Sequence, residues 1–272
     1  MNPILISIGN FQIRWYSLLV MTGFIVGYFL VRNRSKKENL DIALISDFFC
    51  YLVIVGILGA RIYYCIFNMD YYLYNLLDII KIWEGGLAIH GGVIAGIIFT
   101  YFFCKKKKLD LLQLLDIMAP ALVLGQAIGR WGNFFNSEAY GPSTTLKVLK
   151  GLHVPKFIID GMYIDGAYHH PTFFYESIWC LIIFIILMII RNKTKKGQVA
   201  GIYFILYGII RFFIESLRQD SLMLGPIKIA QFISIIAIIV GLYLYIKPLV
   251  RSKNDKQKMG RSTKGRSKKR VL

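Results

Sequence analysis

The sequence predicts an all-α polytopic membrane protein with about seven transmembrane helices and a small extracytoplasmic cap, its N-terminus outside and its C-terminus cytoplasmic. Three observations lead there. Hydrophobic residues make up 56% of the chain, and they are gathered into separate blocks close to the length a helix needs to cross the hydrocarbon layer. Lysines and arginines follow alternate blocks, and the opening segment MNPILISIGNFQI has no charged side chain.

The blocks cover residues 15–31, 48–67, 87–104, 111–128, 173–190, 199–216 and 227–246. Arg32, Arg34, Lys36 and Lys37 follow the first; Lys105, Lys106, Lys107 and Lys108 follow the third; Arg191, Lys193, Lys195 and Lys196 follow the fifth; the largest basic group follows the last. Basic loops stay on the cytoplasmic side, so these four share one side. The net charge of +18 is read as topology and not as a nucleic-acid surface. No basic n-region or small-residue cleavage site precedes the first block, so no cleaved signal peptide is expected.

Between the fourth and fifth blocks, from about residue 130 to 171, glycine, histidine, aspartate and tyrosine mix without a clear period, as in a small cap over the helices. The tail RSKNDKQKMGRSTKGRSKKR is too polar to bury a core and is expected to be disordered, resting on anionic lipid heads. The chain thus divides into a membrane domain over 1–248, cap included, and a basic cytoplasmic tail over 249–272. Cys50, Cys65, Cys104 and Cys180 sit in or at the ends of apolar blocks without CxxC spacing, which reads as packing and not as disulfides, metal ligands or nucleophiles.

Given this orientation, most of the polar residues gather toward the outer face: Arg14, Tyr16, Arg61, His90, Arg130, Asn133, Asn136, Glu138, Tyr175, Glu176, Arg211, Glu215 and Arg218. In the sixth block, Tyr207, Arg211, Glu215 and Arg218 are spaced by four, four and three residues, which places them in one narrow stripe of a helix. An arginine in a membrane helix costs about 2.5 to 3.5 kcal/mol, so each one has to face a partner or water. An internal Arg211–Glu215 ion pair with Arg218 snorkelling is the plain alternative. His90 carries an imidazole, the side-chain type suited to proton transfer, while Gly92 and Gly96 form a GxxxG helix-packing pair.

The stretch GRWGNFFNSEAYG, residues 129–141, combines glycines for close backbone approach with Arg130, whose fork matches a phosphate or carboxylate. Asn133 and Asn136 add neutral donors and acceptors, and Glu138 is placed to hold an arginine or accept a proton. A structural turn with Trp131, Phe134 and Phe135 as interfacial anchors explains the aromatics but not the density of amide, acid and guanidinium groups. The residues describe an outward-opening polar cavity suited to an anionic lipid head. An anion transporter and a membrane scaffold remain open on this reading; the first is disfavoured by the lack of an internal repeat.

GRWGNFFNSEAYG resembles the signature of the prolipoprotein diacylglyceryl transferase family. RWY (14–16), GARIYY (59–64), EGGLAIHGG (84–92), HPTFFYE (170–176) and YGIIRFFIESLRQD (207–220) resemble the family's other blocks in order, from the first span to the sixth. The resemblance implies a bacterial plasma-membrane enzyme of seven spans, with its active site toward the extracytoplasmic side and open laterally to lipid. It transfers diacylglycerol from phosphatidylglycerol to the lipobox cysteine thiol of a prolipoprotein signal peptide, giving a thioether and glycerol phosphate. By carry-over, Arg130 and Arg211 bind the phosphate, and His90 is the candidate base. Tyr16, Asn133, Gly141 and Tyr207 match functional positions in head-group contact and site shape. Glu138 and Glu215 orient the arginines. No metal or diffusible cofactor is implied, and the chain is expected to work as a monomer in the bilayer.

Overall fold

The computed structural model describes residues 2–8, 11–219 and 221–268, with side chains at 8, 11, 84, 224 and 251–268 excepted. Strands β1 (Ile4–Ile8) and β2 (Phe11–Arg14) pair antiparallel and lead into α1 (Trp15–Lys37). Next come α2 (Ile42–Phe67), α3 (Met69–Tyr72) and two 3-10 turns at Leu76–Ile80 and Ile82–Glu84, then α4 (Ile89–Lys107) and α5 (Leu111–Phe135). A small insertion follows: β3 (Ser143–Thr144), α6 (Leu146–Gly151), α7 (Lys156–Gly161), β4 (Tyr163–Ile164) and β5 (Ala167–His169). Helices α8 (Thr172–Ile190) and α9 (Gln198–Leu217), the hairpin β6 (Met223–Leu224) and β7 (Ile227–Lys228), and α10 (Ile229–Lys268) complete the chain.

Among the described residues, six helices are long and apolar enough to cross a membrane: α1, α2, α5, α8, α9 and Ile229–Val250 of α10. This is a polytopic, mostly helical membrane protein. The third expected block is the exception. Its helix begins only at Ile89 and meets Lys105 after Cys104, leaving about 24 Å of uncharged helix at 1.5 Å per residue. At the other end, α10 runs to Lys268. Residues 269–272 of the basic tail lie outside the described residues.

The chain forms two compact units, one running to Phe29 and resuming at Leu115, the other Leu30–Leu114. In the first, α5 is the axis. Helix α1 runs antiparallel along it: a Cβ on Gly132 would meet the Tyr16 ring at 2.5 Å, one on Gly23 would meet Gly125 at 3.3 Å, and one on Gly27 would meet Ala121 at 3.7 Å. Ser177 of α8 donates to the Ala127 carbonyl at 2.9 Å. Ala119, Val123 and Ala127 of α5 share a core with Cys180, Ile183 and Leu187 of α8 and Val199 and Tyr203 of α9.

The insertion has its own core. Leu149, Val154, Ile158, Ile159 and Met162 pack with Phe134 from the end of α5 and Phe173 from the start of α8, under a three-stranded sheet of order β3-β5-β4. Asp165 and Gly166, both at positive φ, make the two-residue turn between β4 and β5. Trp131 stacks on Phe157 and meets Phe134 and Phe173 edge-on, and Phe135 stacks on Trp15 at 4.7 Å. Trp131, Phe134 and Phe135 are therefore packed against other rings, with Phe134 buried and Trp131 and Phe135 half-buried.

In the second unit α2 and α4 pack through glycine. A Cβ on Gly91 would collide with the Gly59 carbonyl and Tyr63, whereas one on Gly96 would meet only a Leu52 methyl at 3.4 Å. The closest approach is Gly91 on Gly59; of the expected Gly92–Gly96 pair, Gly92 packs on Gly56, whose carbonyl oxygen its Cβ would meet at 3.1 Å, and Gly96 has ordinary contact only. Gly91→Val is expected to destabilise the protein by about 3 kcal/mol or more, and Gly96→Val far less. Thermal loss of folded protein in detergent measures both; equal effects would contradict this register.

Candidate active site

The C-terminal end of α5, the first turns of α8 and the last turns of α9 bring three arginines and two carboxylates together. Glu176, one turn into α8, is 1% exposed, and this burial decides its role: a carboxylate there has to be paired. Arg130 Nη2 donates to Glu176 Oε1 at 2.5 Å, and Arg211 Nη1 donates to Glu176 Oε2 at 3.1 Å. One carboxylate thus joins the two guanidiniums. Tyr207 donates to Glu176 Oε1 at 3.2 Å and accepts from Arg130 at 3.4 Å.

The stripe on α9 forms as its spacing requires. Arg211 Nη2 lies 2.7 Å from Glu215 Oε2, and Arg218 Nε lies 4.0 Å from the same oxygen. Lys228, from the following hairpin, donates to the Glu215 carbonyl at 2.7 Å and the Arg218 carbonyl at 2.9 Å, closing carbonyls that the helix end leaves open. The arginines retain an open side: the side chains of Arg130 and Arg211 are 19% and 16% exposed, against 2% for Glu176.

Around this cluster the signature folds into a strained turn. Ser137 and Ala139, on either side of Glu138, both sit at positive φ, a backbone region that non-glycine residues enter only when their surroundings hold them there. Glu138 accepts from Asn133 at 2.8 Å and from Asn136 at 3.3 Å. The expectation that Glu138 orients an arginine is corrected: its partners here are the two amides, because the turn aims it back along α5. Thr172 donates to the Ala139 carbonyl, and Gly141 N–H donates to the His170 carbonyl at 2.9 Å. A Cβ on Gly141 would meet His170 Cβ at 2.9 Å, so glycine is required there for close packing.

Tyr16 lies half-buried in the first turn of α1 against Gly132. His170 has its Nδ1 3.2 Å from the Tyr175 hydroxyl, and burial holds its imidazole below the usual histidine range. His90 belongs to the second unit, exposed in the first turn of α4, its ring 6.2 Å from that of Tyr63. Arg61, in the same unit, does not face a cavity. It is buried and donates to the carbonyls of Asp78 at 2.5 Å, Gly85 at 2.7 Å, Ile79 at 2.8 Å and Gly86 at 2.9 Å, holding the loop between α3 and α4. Among the cysteines, Cys104 and Cys180 are buried while Cys50 is exposed, so packing accounts for two but not for Cys50.

Glu176 is the residue that sequence reasoning leaves without a role. The signal for it is charge balance: on α9 Glu215 serves Arg211, which leaves Arg130 needing a carboxylate from another helix.

A profile described as prolipoprotein diacylglyceryl transferase matches residues 3–247. The chain is 49% identical over 255 residues to a phosphatidylglycerol--prolipoprotein diacylglyceryl transferase of Clostridium novyi, covering 93% of this chain and 98% of that protein. Proteins of the same name from Clostridium perfringens and Staphylococcus xylosus are 45% and 43% identical, covering 96% and 94% of this chain and 98% and 93% of theirs. With a match this long and relatives this similar from end to end, the chain belongs to the prolipoprotein diacylglyceryl transferase family.

Proposed function

We propose that the protein transfers the diacylglyceryl group of phosphatidylglycerol to the lipobox cysteine thiol of a prolipoprotein signal peptide. The observation that carries this reading is the pair Arg130 and Arg211, held side by side on the buried carboxylate of Glu176 with an open edge on each guanidinium. The curated relatives bear the name of that reaction, and an anion transporter finds no support among them.

The substrate sulfur loses its proton to a base and attacks the glycerol carbon that carries the phosphate. The carbon–oxygen bond breaks with its electron pair going to the phosphate oxygen; thioether and glycerol phosphate leave. Arg130 and Arg211 grip the phosphate through charge-assisted hydrogen bonds and stabilise the charge that grows on the leaving group. Glu176 and Glu215 hold those guanidiniums in place, and the Tyr207 hydroxyl completes the cluster. His90 is the base. Tyr16, Asn133, Glu138 and Gly141 shape the space around the glycerol head.

The same reading makes α4 a seventh, short span whose Lys105 to Lys107 reach the cytoplasmic interface by snorkelling. It places the site toward the extracytoplasmic side of a bacterial plasma membrane and the chain at work as a monomer. The experiment is mass spectrometry of a lipobox peptide incubated with the purified protein and phosphatidylglycerol in detergent. A gain of one diacylglyceryl group, absent when the peptide cysteine is serine, is expected. No gain with folded protein and several lipobox peptides counts against the function.

A further inference from the structure

Asp116, near the start of α5, takes no part in the chemistry above. Its carboxylate accepts the Gly197 N–H at 2.6 Å and the Ala200 N–H at 2.8 Å. Helix α9 opens with Gly197 as its N-cap, at φ 88, and no side chain of its own caps that turn. The free amides of its first turn are thus met by a charged group from another helix.

Further along, Gln126 donates to the Tyr203 hydroxyl at 3.0 Å, and Arg130 donates to the Tyr207 hydroxyl at 3.4 Å. Both pairs are separated by 77 residues. The two helices therefore run parallel, in step over these two ties, with Asp116 a third tie 81 and 84 residues from its partners. The lowest tie is the shortest, and in it one carboxyl group accepts from two amides. It also lies where α5 is weakest. Pro120 has no N–H to give the Asp116 carbonyl four residues before it, so the α5 backbone ladder is interrupted at the residue that holds α9.

We propose that Asp116 is a positioning residue for the anion-binding arginines: by pinning the first turn of α9 to α5, it sets the height at which Arg211 meets Arg130 across Glu176. This rests on the function proposed above. Asp116 precedes Arg130 by fourteen residues, about 21 Å of helix, and so acts without touching substrate. A slip of one residue moves a helix by about 1.5 Å and turns it by about 100°. Misplacing a reacting geometry by about 1 Å costs on the order of a hundredfold in rate.

The test compares Asp116→Ala and Asp116→Asn in the full chain, by hydrogen exchange across residues 197–203 and by transfer kinetics per folded molecule. In Asp116→Ala those amides should exchange about tenfold faster. Turnover should fall about a hundredfold with the KM for peptide unchanged. Asp116→Asn, which keeps one acceptor oxygen, should recover most of the rate. Unchanged exchange overturns the inference, and so does a lower yield of folded protein with normal kcat, the mark of a merely structural role. If the parent chain transfers nothing, the proposed function falls instead. Phosphatidylglycerol binding in micelles then decides: about tenfold weaker binding in Asp116→Ala supports the inference, and equal binding overturns it.

Discussion

Arg130→Ala and Arg211→Ala are each expected to lower the transfer rate at saturating phosphatidylglycerol at least a hundredfold, about 3 kcal/mol of transition-state stabilisation. On the proposed function, each removes a guanidinium that binds the phosphate of the leaving group. Lysine in either place restores the charge but not the fork that holds Glu176 and phosphate together, so Arg→Lys variants should recover only part of the loss. Initial rates of peptide lipidation, divided by the amount of membrane-inserted protein, give the comparison. Full turnover in both alanine variants would remove the two arginines from the phosphate site, whatever the overall function proves to be.

Glu176→Ala should have the larger effect on stability. Its carboxylate is 2% exposed as a side chain and bonded to Arg130, Arg211 and Tyr207, so its removal strands the Arg130 guanidinium in a buried cluster and leaves Arg211 with Glu215 alone. Breaking a buried pair by deleting one partner costs about 3 to 5 kcal/mol. In a chain of this size that is a fall of roughly 10 °C in the unfolding midpoint. Glu176→Gln keeps one acceptor oxygen and the shape, so it should fold better than Glu176→Ala while still losing transfer, because the guanidiniums no longer share a counterion. Thermal melts in detergent alongside transfer rates separate the two effects. A Glu176→Ala protein that melts and turns over like the parent would mean that the shared carboxylate organises nothing.

Much of the site is legible along single helices. On α9 the spacing of Tyr207, Arg211 and Glu215 alone puts them on one face, and they meet as that spacing requires. The Asp165-Gly166 pair is a hairpin signal and marks the turn of the cap sheet, though the period of the flanking strands is too short to show their pairing. Where the reading fails, the failure has a pattern. Glu138 is expected to orient an arginine, and its hydrogen-bond partners are Asn133 and Asn136; Arg61 counts among the polar residues gathered at one face, and it bonds loop carbonyls. In both cases the residue type was correctly marked as needing partners, and the partners could not be read from spacing.

From the sequence alone come the class of protein, the family, the helices rich in apolar residues and the face of α9 that carries charge, because hydropathy and helical period are properties of neighbours in the chain. Tertiary structure alone decides that Glu176 joins Arg130 to Arg211 across separations of 46 and 35 residues, that Tyr16 needs Gly132, and that Asp116 caps α9. A buried charge demands a partner wherever it sits, but several acids of equal chemistry are available along the chain. Only the packing of α1, α8 and α9 on α5 brings one of them within hydrogen-bond reach and leaves the others outside it.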